Sequence, residues 1–188
     1  MKKIFKYIFA GMAAMSVVAC SEDALETSPS SSVSGNELLG TATNALVSLN
    51  GVYRAMYTAG VSNSSNTHQC FGITAYNLVA DVMGEDCIMN GQGSGWFWYD
   101  CVYNVKSRYT STGWRSYDMW NGYYTWISNV NYILAEEETM SGSETEKNYV
   151  LGQAYAVRAY SYFMLAQMFS RTYKRHESEP CVPLYTEP

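Results

Sequence analysis

Residues 152–169, GQAYAVRAYSYFMLAQMF, hold almost nothing unsuited to a helix. Ala154, Arg158, Ser161, Leu165 and Met168 recur at three- and four-residue spacing, so they share one helical face. Tyr155, Ala159, Tyr162, Ala166 and Phe169 share the adjoining face. Both faces are apolar or aromatic, which predicts a helix covered on most of its sides. The small residues Ala154, Ala156, Ala159, Ser161 and Ala166 leave room for a neighbouring helix, and the rings of Tyr155, Tyr160, Tyr162 and Phe163 fill its grooves. The fold read from this stretch is all-α, with this helix at its centre.

Outward from it, Met140-Ser141-Gly142 turns the chain. Ser143 has Glu146 three residues on, the spacing of a capping box, and starts the central helix, read as 143–170. Before the turn, Trp120, Tyr123, Tyr124, Ile127, Val130, Asn131 and Leu134 form a broad stripe on a helix over 115–138, whose Glu136-Glu137-Glu138 ends in solvent. Two long helices joined by a short turn must lie antiparallel. Further upstream, Leu38, Ala42, Ala45, Leu46, Leu49, Val52, Tyr53 and Met56 keep helical phase, predicting a helix over 36–58 that is capped by Ser34 and Glu37 and ended by Gly60. A polar loop over 60–70 leads to a shorter helix over 71–83, closed by Gly84-Glu85-Asp86. After Phe169, Pro180, Pro183 and Pro188 predict an extended tail.

Charged residues are 15% of the 188, against roughly 25% in an average soluble domain. The formal net charge is −5 and no dense Lys/Arg patch exists, so binding nucleic acid through its phosphates is not expected. Aromatics are also 15%, with 17 tyrosines, so rings with hydroxyls carry much of the polar character. Such surfaces suit neutral polyhydroxyl ligands, whose apolar faces stack on rings. Any single tyrosine is more simply read as core.

Met1-Lys2-Lys3 and Lys6 precede the short apolar run Tyr7 to Val18, too short for a membrane span, which needs ~20 apolar residues. This is the pattern of a secretory signal over 1–19. Val17-Val18-Ala19-Cys20 resembles the cleavage site of bacterial lipoproteins, in which the Cys is acylated. Residues 20–33 then read as a flexible tether, and 34–188 as the helical domain. Cys70, Cys87, Cys101 and Cys181 show no CxxC spacing, and are read as small core residues, with Cys87 and Cys101 an optional bridge. No metal or cofactor is expected.

Between 87 and 113, Gly91, Gly93, Gly95 and Gly113 surround the consecutive rings Trp96-Phe97-Trp98-Tyr99. Two readings stand side by side: a loop that displays rings to a ligand, or one that plugs them into the helices. On the first, Trp96, Trp98 and Tyr99 are the candidate sugar-stacking residues and Asn90 a hydroxyl partner, with Gln92 beside it. In an extended segment Trp96 and Trp98 would share one face, and Phe97 would anchor the loop inward.

Three motifs resemble the SusD/RagB-type lipoproteins, glycan-binding outer-membrane proteins of Bacteroidetes. The first is Cys20 with the acidic stretch to Pro29. The second is Trp120, Tyr124, Ile127 and Asn131. The third, and the specific one, is Gly152, Ala154, Arg158, Ala159, Tyr162, Phe163, Leu165 and Phe169, followed by Val182-Pro183-Leu184 and Thr186. Gln153 and Ser170 depart from the pattern, where an acid and a glycine are usual. The similarity runs over Met1–Pro188 and corresponds to the N-terminal part of such proteins, which are normally several hundred residues longer. It implies tetratricopeptide-like helical hairpins, an α-α superhelix with long irregular loops; no ~34-residue repeat is visible in the chain itself. It also implies a surface-exposed, lipid-anchored outer-membrane protein that is not an enzyme. Such a protein captures oligosaccharides and seats over a SusC-like TonB-dependent transporter.

Two other classes compete. A glycoside hydrolase would need two carboxylates at a defined separation, and Asp81, Glu85, Asp86 and Asp100 are the candidates, each explained more simply by helix ends and turns. A helical module that binds a protein and no sugar is the other. Arg158 reads as structural, its guanidinium bonded to carbonyls or a carboxylate, and Asn131 as an inter-helix hydrogen bond.

Overall fold

The computed structural model describes residues 38–62, 65–104, 110 and 113–188. The leader, Cys20, the tether and the Ser34–Glu37 cap lie outside the described residues. In chain order the helices are α1 (Ala42–Ala55), α2 (Ile73–Met83), α3 (Trp98–Cys101), α4 (Trp114–Ala135) and α5 (Glu144–Phe169). Among the described residues there is no strand, only an isolated bridge between Thr41 and Ser141. The architecture is all-α, as the periodicity predicts.

The central helix begins where its cap was read. The Glu146 N–H donates to Ser143 Oγ at 3.3 Å, and the Ser143 N–H donates to Glu146 Oε2 at 2.9 Å. Val150, Ala154, Val157, Ser161 and Leu165 form its buried stripe, and Leu165 has no exposed surface. Ser161 is satisfied inside that stripe by donating to Val157 O at 2.8 Å. The expectation of cover on most sides is corrected. Tyr155, Ala156, Ala159 and Phe163 are exposed, because α4 and α1 approach α5 from one side. Tyrosine and alanine suit either environment, so their spacing does not tell a buried face from an open one.

Helices α4 and α5 are an antiparallel hairpin. Trp120 meets Phe169 with ring centroids 5.0 Å apart, Tyr123 meets Tyr160 at 6.3 Å, and Arg158 Nη1 donates to Asn131 Oδ1 at 2.9 Å. The α4 stripe holds for Tyr123, Ile127, Val130, Asn131 and Leu134, while Trp120 is partly exposed; Trp126, outside the expected stripe, is core. The helix stops at Ala135 rather than 138, since Met140 turns into the core while its N–H takes Glu136 O at 2.8 Å. Its N-terminal neighbour α1 is pinned to the hairpin turn by Ala42 N–H to Ser141 O (2.8 Å) and Ser141 N–H to Gly40 O (3.0 Å). Tyr53 adds a hydroxyl bond to Gln153 Oε1 at 3.0 Å.

Within the described residues α1 is capped by Thr41, which accepts from the Asn44 N–H at 3.1 Å. It ends at Ala55, short of 58, and past that end Thr58 covers the Arg54 carbonyl with both its N–H (3.1 Å) and its hydroxyl (2.7 Å). Met56 O then accepts from the Ile73 N–H at 2.8 Å, which brings the start of α2 against the end of α1. Gly72 makes that approach with φ 67°, a conformation glycine adopts without strain.

The expectation of an extended tail from 171 on is corrected. Residues 173–179 fold into turns, closed by His176 N–H to Tyr173 O and Glu179 N–H to His176 O, since a proline constrains only its own φ and the residue before it. Only residues 183–188 of the tail are extended, and they are strapped across the hairpin by side chains. Tyr124 OH donates to Pro183 O (2.8 Å), Tyr162 OH to Tyr185 O (2.8 Å), and Asn131 Nδ2 to Tyr185 O and Glu187 O (3.0 Å each). Arg158 reaches Thr186 O at 3.4 Å and stacks over Tyr155 at 5.0 Å. Tyr124 and Asn131 of the second motif and Arg158 and Tyr162 of the third therefore clamp the Val182–Glu187 strap. Cys70, Cys87, Cys101 and Cys181 are free thiols, and the reading of all four as core is corrected: only Cys70 is buried, with Cys87 and Cys181 exposed.

Candidate functional site

The aromatic loop is held from beneath by α4. Arg115, in its first turn, donates to Gln69 O (2.8 Å), Gln69 Oε1 (3.0 Å) and Asp100 Oδ2 (3.0 Å). Its guanidinium lies between the rings of Trp114 and Phe97, at 4.2 and 5.0 Å from their centroids. Gln69 Oε1 also accepts the Phe97 N–H at 2.9 Å. One cation thus ties the 65–70 loop, Phe97 and α3 together. Burial pulls the Arg115 pKa down to about 10, so it stays protonated at neutral pH.

This clamp sets which rings face out. Phe97 is buried and meets Phe71 edge-on at 6.1 Å, so it anchors the loop inward as expected. The extended geometry is corrected. Gly95 (φ 86°) and Phe97 (φ 57°) are left-handed, and α3 starts at Trp98. Trp96 is 51% and Tyr99 55% exposed, whereas Trp98 is half-buried in α3. Asn90 and Gln92 are exposed on the approach to the turn. Trp96 stacks on His68, centroids 5.1 Å apart and tilted by 39°. His68 and Arg115 are contacts of the aromatic loop that the sequence does not point to. Arg115 meets Gln69 across 46 positions, a separation that no local pattern marks.

A second buried polar group of α4 lies against Ser62 and α2. Asp118 accepts from the Ser62 hydroxyl, and Tyr76 OH donates to its backbone oxygen at 2.9 Å. Asp118 Oδ2 is buried without a hydrogen-bond partner. Burial raises the Asp118 pKa, against the lowering effect of the Ser62 hydroxyl. Burial and then the charge of Asp118 push the Cys70 thiol up to about 12, which leaves it a non-nucleophilic thiol. Asp100, one of the four candidate carboxylates for hydrolysis, is engaged in the buried pair with Arg115.

The arrangement offers flat exposed rings on a loop braced by a buried ion pair. That is a geometry for stacking against an apolar ligand face. No curated protein and no solved structure matches the chain. The sequence pattern of the SusD-like family, described as "Starch-binding associating with outer membrane", matches residues 94–187, half of the chain, and takes in the rings at 96–99, the hairpin and the strap, beginning after Asn90 and Gln92. This is a family of binding proteins rather than enzymes, and its description carries a glycan-binding role in association with the outer membrane. The chain belongs to the SusD-like family.

Proposed function

We propose that this protein is the glycan-capturing lipoprotein of a SusC/SusD-type uptake system. It is anchored in the outer membrane through acylated Cys20 and exposed at the cell surface. There it takes up oligosaccharides and hands them to a SusC-like TonB-dependent transporter. Capture uses the aromatic loop, with Trp96 and Tyr99 as stacking faces, Trp98 as the partly covered ring behind them, and Asn90 as a hydrogen-bond partner for hydroxyls. The observation that carries this reading is that Trp96 and Tyr99 stand more than half exposed on a loop whose base is locked by Arg115. Rings held rigidly in water lose little conformational freedom when a ligand stacks on them.

Affinity electrophoresis in gels containing soluble polysaccharide tests it. Trp96→Ala and Tyr99→Ala should weaken retardation while the helical circular-dichroism signal stays constant, and retardation equal to the wild type in both variants would sink the loop as the platform. The anchor is tested separately by metabolic labelling with a fatty-acid analogue, which should mark the wild type and not Cys20→Ala.

The reading as a protein-binding helical module has one observation in its favour, the exposed side of α5 bearing Tyr155, Ala159 and Phe163. If no glycan retards the protein, and a solubilised SusC-like transporter still binds it, that reading replaces sugar capture.

A further inference from the structure

Well apart in sequence from the aromatic loop, the last turns of α5 and residues 170–181 enclose a cleft of about 520 Å³. That lies within the ~300–1,000 Å³ range of small-ligand sites. One wall is helical: Phe163, Ala166, Gln167 and Ser170. The other is a loop held by its own bonds. His176 N–H donates to Tyr173 O (2.9 Å), Glu179 N–H to His176 O (3.0 Å), and Arg175 N–H to Glu177 Oε1 (3.1 Å). Arg171 pairs with Glu179 at 3.2 Å, and the Ser170 hydroxyl donates to Cys181 Sγ at 2.8 Å, closing the loop at its base. Such a wall is set before any ligand arrives.

The lining has a definite chemistry. Phe163 is 60% and Tyr173 78% exposed, two rings that gain nothing from the core. Gln167 carries an amide that both donates and accepts. The Arg171–Glu179 pair sets a planar donor fork beside a two-oxygen acceptor, which suits neighbouring hydroxyls. His176 Nδ1–H donates to Thr172 O at 2.9 Å, which fixes the ring against the loop. Glu177 and Glu179 outnumber Arg171 in the lining, which works against an anionic ligand.

We propose that this cleft is a second saccharide-contact site, selective for neutral sugar units. Tyr173 and Phe163 supply the stacking faces, and Gln167 with the Arg171–Glu179 pair supplies the hydroxyl partners. The inference rests on the glycan-capture reading for its class of ligand, and not on the aromatic loop.

The test uses native affinity electrophoresis of the full chain in amylopectin, galactomannan and xylan, with polygalacturonate as the charged counter-probe. The variants are Tyr173→Ala and Gln167→Ala, each alone and combined with Trp96→Ala. Both residues are exposed, and circular dichroism checks that the fold is kept. At least one neutral polysaccharide should retard the wild type, Tyr173→Ala should weaken that affinity by about fivefold or more in either background, and polygalacturonate should not retard. Three results would each overturn the proposal: no retardation of the wild type by any neutral probe, wild-type affinity in both cleft variants, or equal retardation by polygalacturonate. If the Trp96 substitution is silent while Tyr173→Ala weakens binding, the loop reading falls and the cleft stands. The opposite pattern removes the cleft and leaves the loop.

Discussion

Arg115 Nη2 and Asp100 Oδ2 lie 3.0 Å apart, with only 4% and 5% of their side-chain surfaces exposed. This pair joins the first turn of α4 to α3 beneath the exposed rings. Removing one partner would leave a charge buried without compensation, which costs about 3–5 kcal/mol. Arg115→Met should therefore lower the chemical-denaturation midpoint strongly. Arg115→Lys should recover only part of the loss, since an ammonium cannot span Gln69 and Asp100 as the planar fork does. Equal midpoints for the wild type and Arg115→Met would show that the clamp contributes nothing to stability.

Asp118 makes stability depend on pH in the opposite sense from a salt-bridged carboxylate. Its folded pKa is raised by burial, so the folded state holds this proton more tightly than the unfolded chain does. The contribution is fully present below the ordinary Asp value of about 3.9 and is lost as pH rises through the folded pKa. Asp118→Asn keeps the shape and removes the ionisation. Its unfolding free energy should fall less than that of the wild type between pH 4 and pH 7, read from urea melts. The same fall in both proteins would mean that Asp118 does not titrate in this window.

The hairpin was legible because its signals are local. Ser143 and Glu146 sit three residues apart and make the cap they announce, and Leu165 lies on the buried stripe that its spacing defines. Arg158 and Asn131 were readable as structural because each is a polar side chain set among apolar helical neighbours, although the strap they hold was not foreseen. The faces of α5 were not legible. Tyr155 and Ala159 carry the same spacing as buried residues, and only the positions of α1 and α4 decide that they face out. At the site, exposure of Trp96 follows from the left-handed Gly95 and Phe97 and from a clamp at Arg115, 46 positions from Gln69, and no short-range pattern encodes that pairing.

Asn131 is the hinge pin of the strap. Its amide nitrogen donates to Tyr185 O and Glu187 O, its oxygen accepts from Arg158, and its side chain is buried. Asn131→Ala strips partners from two carbonyls and a guanidinium at once, at a cost of about 1–3 kcal/mol. Hydrogen exchange should report the loss locally, with faster exchange at the amides of residues 184–187 and little change across α1. Exchange at the tail no faster than in the wild type would mean that Tyr124 and Tyr162 hold the strap without it.

Two glycines should respond to the same substitution with opposite signs. At Gly72 the backbone is left-handed at φ 67°, and an added Cβ would stand 2.0 Å from Met56 O and 2.6 Å from its carbon. Neither is the flexible end of a side chain; both belong to the junction where Met56 O accepts the Ile73 N–H and α1 passes into α2. Gly72→Ala must therefore break that junction or strain it, and should cost more than about 1 kcal/mol. Gly152 lies inside α5, and a Cβ there meets nothing within 4 Å. Gly152→Ala removes unfolded-chain entropy and raises helix propensity, and should stabilise by about 0.5–1 kcal/mol. Thermal melts of the two variants beside the wild type decide the matter. A lower melting temperature for Gly152→Ala would mean that the space beside this position of α5 is not open in solution.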